Sequence, residues 1–478
     1  KFNKYFTNIG NTLLSDIPTP KKDYTEFLKH PLNEFFFLTP VTEEECKIIK
    51  SLKVAAPGWD QISAKAIKHV QHFIIKPIAF LCNLSFQTGI VPDELKIAYV
   101  TPIFKSGDEQ MFTNYRPISV LCCLSKIFER LVYNRLFSIL VKNSILYKKQ
   151  FGFLKDHSTD LALTCLTDMI YHAMENSKYT LVAYLDLSKA FDVVNHNILL
   201  HKLEYYGIRG ITNDWFKSYL TGRSQCVNHN STLSEKLPLT CGVPQGSILG
   251  PILFLLYIND LNLSSNLLNF VLYADDSNLL FSGPNLQELV TCFNNEISKV
   301  YEWFNANKLL LNIKKSKFML FCDKNKKYNR NDVEVMLGET YLERVDSIKF
   351  LGVMIDSKLS WNDHISYIAT KISKNIGIIT RARKYFSAST LLNLYYTFIY
   401  PYLTYCCSVW GSACDSHLQR IHILQKRILR IVYGVNRYHP SQPLFNKSQV
   451  LRVQEIHDLQ NAIFCYKYKC NSLPRVFE

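Results

Sequence analysis

An acidic pair stands inside an apolar run. In VLYADDSNLL (Val271–Leu280) the adjacent carboxylates Asp275 and Asp276 interrupt a stretch that otherwise reads as a half-buried strand. Repulsion and desolvation both oppose that placement, because an unpaired buried charge costs several kcal/mol or more. Two short apolar flanks around a charged pair predict a β-hairpin with a tight acidic tip. A tip of this kind becomes tolerable where a strong cation neutralises it.

A second carboxylate ends another apolar run. TLVAYLDL (Thr180–Leu187) reads as a strand that delivers Asp186 at its end, with Phe191 and Asp192 following in a turn or early helix. If the two strands pair side by side, Asp186, Asp275 and Asp276 converge. Three carboxylates around one point call for hard, oxygen-liganded cations. Mg²⁺ is the natural choice, because it takes a few carboxylates and completes its shell with phosphate oxygens. Two such ions would clamp an in-line phosphoryl displacement.

The remaining pattern predicts an α+β fold. Strand signals occur at Ile97–Phe104, Thr180–Leu187, Phe270–Asp276, Ser316–Phe321 and Ser347–Asp356. Helical periodicity covers residues 64–95, Ser119–Leu140 and Leu286–Asn305, and nearly everything after Asp356. Thr42 before Glu43-Glu44-Glu45 reads as a capped helix start. At 478 residues the chain has room for about two to four domains. From Tyr385 to Cys414 there is no Asp, Glu, Lys or Arg. The Ser, Thr, Asn, Pro and Tyr residues there predict a buried helix pair rather than a membrane span.

Charge and cysteine usage bound the setting. A formal net charge of +15 favours a polyanionic partner, nucleic acid before an anionic membrane surface. The 14 cysteines follow no disulfide framework and suit a reducing, intracellular compartment. Cys465 and Cys470 have no convincing histidine partners at zinc spacing and read as structural. The chain opens at Lys1 without a signal-peptide pattern, as a piece of a longer polypeptide would.

Several blocks resemble one family in order along the chain. Tyr273-Ala274-Asp275-Asp276 resembles the YxDD box of reverse transcriptases, and Asp186 with Phe191 their first acidic motif. CGVPQGSILGPILFLLYIND (Cys241–Asp260) is similar to their nucleotide-binding segment. NYRPISVLCCLSKIFERLVYNRL (Asn114–Leu136), APGWDQI (Ala56–Ile62), TPIFKSGD (Thr101–Asp108), QFGFLKDHST (Gln150–Thr159), WFNANKLLLNIKKSKFMLF (Trp303–Phe321), FLGVMID (Phe350–Asp356) and LQKRILRIVYG (Leu424–Gly434) resemble blocks of non-LTR, jockey-like retrotransposon enzymes.

That resemblance implies a right-hand polymerase. Residues 1–85 would be an N-terminal extension with upstream fingers elements, 86–356 fingers and palm, and 357–478 a helical thumb. It implies an RNA-directed DNA polymerase acting on an RNA template, a DNA primer or target, and dNTPs. Two Mg²⁺ ions would serve it, with Mn²⁺ able to substitute, held by Asp186, Asp275, Asp276 and Leu187. One ion would activate the primer 3′-hydroxyl and the other would hold the leaving pyrophosphate. Phe191 would lie under the incoming sugar and exclude a 2′-hydroxyl. Gln245 can donate to the nucleotide, Gly246 permits close backbone approach, and Ser247 is placed to cap the following helix. Lys105 and Arg116 would reach triphosphate oxygens, and Lys315 would protonate pyrophosphate.

In the thumb, Leu418, Ile421, Leu424, Ile428 and Val432 recur at spacings of three and four. That stripe would pack inward and leave Arg420, Lys426, Arg427 and Arg430 for a sugar–phosphate backbone. The family further implies cytoplasmic and nuclear work, no membrane, and an element endonuclease in the same parent polyprotein. One departure stands out. Where many relatives carry an Arg, this chain has Leu154 followed by Lys155, and a following Gly is replaced by Asp156. Lys lacks the bidentate fork of Arg. A catalytically weakened or non-catalytic RNA-binding derivative therefore stays open beside the polymerase. An RNA-dependent RNA polymerase is disfavoured by Phe191.

Overall fold

The computed structural model describes residues 1–15, 17–28, 31–230, 232–323, 326, 329 and 332–477. In chain order its principal elements are α1 (Phe2–Ser15), α2 (Gln71–Thr88), β1 (Ile97–Phe104), β2 (Tyr115–Leu121), α3 (Cys123–Lys142), α4 (Thr159–Glu175), β3 (Tyr179–Leu185), α5 (His196–Tyr205), α6 (Ile211–Leu220), β4 (Ser224–His229), α7 (Leu249–Ile258), β5 (Asn269–Tyr273), β6 (Asp276–Gly283), α8 (Leu286–Ala306), β7 (Lys317–Phe321), β8 (Glu343–Arg344), β9 (Ser347–Phe350), β10 (Val353–Asp356), α9 (Asn362–Ala382), α10 (Ala388–Phe398), α11 (Asp415–Tyr433) and α12 (Val453–Lys469). Strands and helices are mixed as an α+β fold requires. They form two compact units interleaved along the chain: Lys1–Tyr147 with Asp186–Leu267 and Glu296–Asn312, and Lys148–Leu185 with Leu268–Asn295 and Ile313–Glu478.

The first unit is built on a mixed sheet. β1 pairs antiparallel with β2, from Ala98↔Leu121 to Phe104↔Tyr115, and parallel with β4. Phe6 of α1 packs with Val100 and Val227, so the first helix seals one patch of that sheet. Trp215, Phe216 and Tyr219 of α6 are fully buried in the same unit.

The second unit carries a five-stranded sheet in the order β8-β7-β3-β6-β5. β3 is its central strand, antiparallel to β6 from Tyr179↔Gly283 to Leu185↔Ser277 and to β7 from Thr180↔Phe321 to Tyr184↔Lys317. A strand covered on both edges and both faces needs a continuous apolar run, which TLVAYL supplies. The core around it extends from α4 into the C-terminal helices. Ile365, Ile368, Ile372, Ile376 and Ile379 form the buried stripe of α9, and Leu418, Ile421, Ile428 and Val432 that of α11, with Leu424 half-buried.

Four expectations about elements need correction. Residues 64–95 are not one helix: helical segments Ala64–His69 and α2 are separated by Val70, and Gly89 in a left-handed conformation ends α2. Residues 115–121 extend as β2 and the helix starts at Cys123, because the stretch pairs along the whole of β1. Ser347–Asp356 is a hairpin rather than a strand, since Leu351 and Gly352 both take positive φ (43° and 83°), the backbone of a type I′ turn. Tyr385–Cys414 holds three short helices, Ala388–Phe398, Tyr400–Thr404 and Cys407–Trp410, divided at Ile399, just before Pro401 in the first turn of the second helix, and at Tyr405–Cys406, where Cys406 has φ 50°. Among the described residues no helix is long and apolar enough to cross a membrane. The Thr42 capping box forms as expected.

Candidate active site

The acidic tip is a two-residue hairpin turn. Tyr273 pairs with Asp276 as the last rung of β5 and β6, leaving Ala274 and Asp275 as the turn. Ala274 takes φ 55°. A left-handed residue with a Cβ costs roughly 1–2 kcal/mol, so something must hold it there.

The holder is Gln150. Its side-chain Oε1 accepts from the amides of Ala274 (3.0 Å) and Gly152 (2.8 Å), and Gln150 is only 3% exposed. The backbone beside it is pinned as well: Phe151 N donates to Leu272 O (2.8 Å) and Leu272 N to Lys149 O (3.0 Å). Gly152 leaves no room for a side chain, because a Cβ there would stand 2.3 Å from Ala274 N. Sequence reasoning quoted this QFGF segment for its cations and missed Gln150 and Gly152 as the clamp. The pairing with the hairpin lies more than a hundred residues away and leaves no local signal.

Leu185 forms a rung with Ser277. Along the chain, Asp186 is the residue after Leu185 and Asp276 the residue before Ser277. Burial and the Asp276 charge raise the Tyr273 hydroxyl above its ordinary value. The tip offers hard carboxylate oxygens, the donor chemistry of a divalent cation. Among the described residues no group of three or more His, Cys, Asp and Glu side chains stands close enough together to hold a metal ion.

In the first unit, the segment after Asp186 is held by backbone pairing. Asn312 N donates to Asp186 O (2.8 Å) and Ser188 N to Leu310 O (2.9 Å). Leu187 is buried and bridges Leu311. Phe191 is half-buried and stacks on Phe254 with centroids 4.6 Å apart, on a turn and not yet a helix. The strap Cys241–Val243 runs along it: Val243 N donates to Phe191 O and Gly242 N to Val194 O, both 2.8 Å.

The Pro-Gln-Gly-Ser turn docks on β2. Ser119 N donates to Gln245 O (2.8 Å), and a Cβ on Gly246 would stand 2.3 Å from Ser119 O. Gly246 has φ 127°, which only glycine adopts readily. Ser247 Oγ accepts from Gly250 N (2.9 Å) at the start of α7, the capping role expected. The Gln245 amide nitrogen is engaged by protein, donating to Asp192 Oδ1 at 2.9 Å. Sequence reasoning saw Asp192 only as the residue after Phe191.

The expected cations are divided between the two units. Lys105 and Arg116 are exposed at the same end of the β1–β2 ladder, where Arg116 pairs with Ile103. Lys155 is exposed, on a turn where Asp156 takes φ 61°. Lys315 is exposed in the turn before β7. On α11, Arg420 donates to Asn362 Oδ1 (3.2 Å) and Ser366 Oγ (3.0 Å), and Arg430 to His439 O (2.9 Å). Arg427 is exposed and Lys426 half-buried.

The chain belongs to the reverse transcriptase (RNA-dependent DNA polymerase) family, whose model matches residues 103–355. Membership places the α+β fold among right-hand polymerases, and the family generally uses divalent metal ions. The particular relatives are mobile-element proteins. The chain is 30% identical over 415 residues to the probable RNA-directed DNA polymerase from transposon X-element of Drosophila melanogaster, covering 83% of this chain and 44% of that protein. It is 29% identical over 467 residues to the RNA-directed DNA polymerase from mobile element jockey of the same fly, covering 94% and 50%. The chain thus spans about half the length of these relatives.

Proposed function

We propose that this chain extends a DNA 3′-hydroxyl on an RNA template, as the polymerase portion of a non-LTR retrotransposon protein. One observation supports the reading: Leu185, the residue before Asp186 in the chain, pairs antiparallel with Ser277, the residue after Asp276. In this reading Asp186, Asp275 and Asp276, with the Leu187 carbonyl, hold two Mg²⁺ ions, for which Mn²⁺ substitutes. The ions would supply activation of the primer hydroxyl and neutralisation of the leaving pyrophosphate.

The chain's own residues do the rest. Phe191, braced by Phe254, walls off the sugar 2′ position. Gln245 and Gly246 meet the incoming dNTP from a turn locked to β2. Lys105, Arg116 and Lys155 bind phosphate oxygens, Lys315 gives a proton to pyrophosphate, and Arg420, Lys426, Arg427 and Arg430 track the template–primer backbone. An endonuclease in the same parent polyprotein would supply the primer end.

The test is primer extension with the purified chain, an RNA template, a DNA primer and Mg²⁺, with dNTPs and rNTPs in parallel. DNA extension that is lost in Asp275→Asn supports the polymerase. Template binding without extension in the unaltered chain favours a non-catalytic RNA-binding derivative, and incorporation of rNTPs an RNA polymerase.

A further inference from the structure

A small cavity in the first unit, about 40 Å³, is lined by Gly10 of α1, Asp192, His196, Arg223, Cys241 and Gln245, among others. We propose that Asp192 is a positioning residue for nucleotide binding, because its carboxylate fixes which way the Gln245 amide faces. The proposal rests on the reading of Gln245 as a nucleotide contact and adds to it the group that orients that contact.

Both ends of the Asp192–Gln245 bond are anchored. Asp192 N donates to Lys189 O (2.8 Å), and Cys241 Sγ donates to Asp192 O (3.4 Å). The α1 helix presses on the same point: a Cβ on Gly10 would stand 2.3 Å from Cys241 Sγ and 2.8 Å from Asp192 O. A Cβ on Gly242 would stand 2.8 Å from Asp192 O. The Gln245 backbone is tied to Ser119 of β2. With both backbones fixed, the remaining freedom is rotation of the amide.

The carboxylate settles that rotation. An ionised carboxyl group only accepts, so the amide nitrogen must face it, and Oε1 with the second N–H is presented on the other side. A protonated carboxyl can donate to Oε1 instead, and the two amide orientations then compete. The groups facing Asp192 are the Lys189 ammonium, which donates to Tyr115 O; Tyr5 of α1; the Cys241 thiol; and, around the cavity, His196 of α5, bonded to Gly242 O, and the Arg223 guanidinium. None hydrogen-bonds the second carboxylate oxygen, Oδ2, which is buried without a partner. Burial pushes the carboxyl up to about 6, against the opposing pull of Gln245 and Lys189. Protonation therefore falls inside the working range of an assay.

The experiment is steady-state primer extension on an RNA template from pH 5.5 to 8, with Asp192→Asn, Asp192→Ala and Gln245→Ala beside the unaltered chain. The unaltered chain is expected to show KM for dNTP rising as pH falls through about 6. Asp192→Asn, isosteric and able to donate or accept, is expected to raise KM more than it lowers kcat and to flatten that pH dependence. Asp192→Ala should raise KM about tenfold, the worth of one hydrogen bond.

An Asp192→Asn profile that keeps the pH dependence, or equal loss of kcat and KM effects in both Asp192 variants, overturns the positioning role while leaving Gln245 as a nucleotide contact. An unchanged KM in Gln245→Ala overturns the contact and the proposal together. A readout independent of turnover is the ¹⁵N side-chain amide signal of Gln245, assigned by its loss in Gln245→Ala. It should move with pH through about 6 in the unaltered chain and stand still in Asp192→Asn; movement in both overturns the proposal.

Discussion

Gly152 and Ala274 meet with no spare space, and that contact is where a single atom decides the acidic turn. Gly152→Ala would put a methyl 2.3 Å from Ala274 N, so the turn must shift. Overpacking of this kind costs about 1–3 kcal/mol, and the loss of extension activity should exceed the loss in thermal stability. Activity that survives intact would mean the turn adapts freely. Asp192 gives a second outcome at this scale. Its carboxyl is raised to about 6 by burial, so between the ordinary carboxylate value and 6 the native state binds more protons than the unfolded chain. Stability from this group therefore falls as pH rises through that window. Measured against Asp192→Asn, the unaltered chain should gain in melting temperature between pH 7 and pH 5. A constant difference would sink the assignment. The two aspartates at 275 and 276 were legible because like charges in an apolar run have few explanations. Gln150 and Asp192 were not, since a polar residue's partner is chosen by the fold and not by its neighbours in sequence.

At the scale of elements, a buried ion pair ties three helical regions of the first unit together. Lys202 of α5 is fully buried and donates to Asp260 Oδ1 (2.5 Å) and Tyr257 O (2.6 Å), while Trp303 Nε1 donates to Asp260 Oδ2 (3.1 Å). Removing one partner strands a charge, so Asp260→Ala should cost about 3–5 kcal/mol. The double variant Lys202→Met with Asp260→Leu should recover much of that loss, which urea unfolding midpoints would report. Failure of the double variant to recover would mean that the Trp303 and Tyr257 bonds matter more than the charge. Strand Ile97–Phe104 was readable to the residue from its apolar content. The Ser347–Asp356 hairpin was not, because Leu351 carries no turn signature and its positive φ is imposed by the pairing of β9 with β10. Residues 119–121 followed helical periodicity, yet pairing with β1 outweighs local preference there.

At the scale of the molecule, interleaving is the feature that local pattern could not reveal. Each compact unit takes three stretches of chain, and sequence periodicity carries no information about which stretches join. The net charge of +15, by contrast, is legible at once and has a measurable consequence. If the basic face of α11 grips a template–primer duplex, each cation that neutralises a phosphate adds about one to the slope of log affinity against log salt. The four arginines and lysines are not equivalent in this respect. Arg420 is bonded to Asn362 and Ser366, and Arg430 to His439 O, so truncating either also removes internal bonds. Arg427 is exposed on the same helix. Arg427→Ala should therefore weaken binding of an RNA–DNA hybrid uniformly across sequences, lower the salt slope by about one, and leave the melting temperature in place. Arg430→Ala should lower the melting temperature as well. Should Arg427→Ala leave the slope untouched, the duplex path does not cross this face of α11, and the excess positive charge serves another part of the surface.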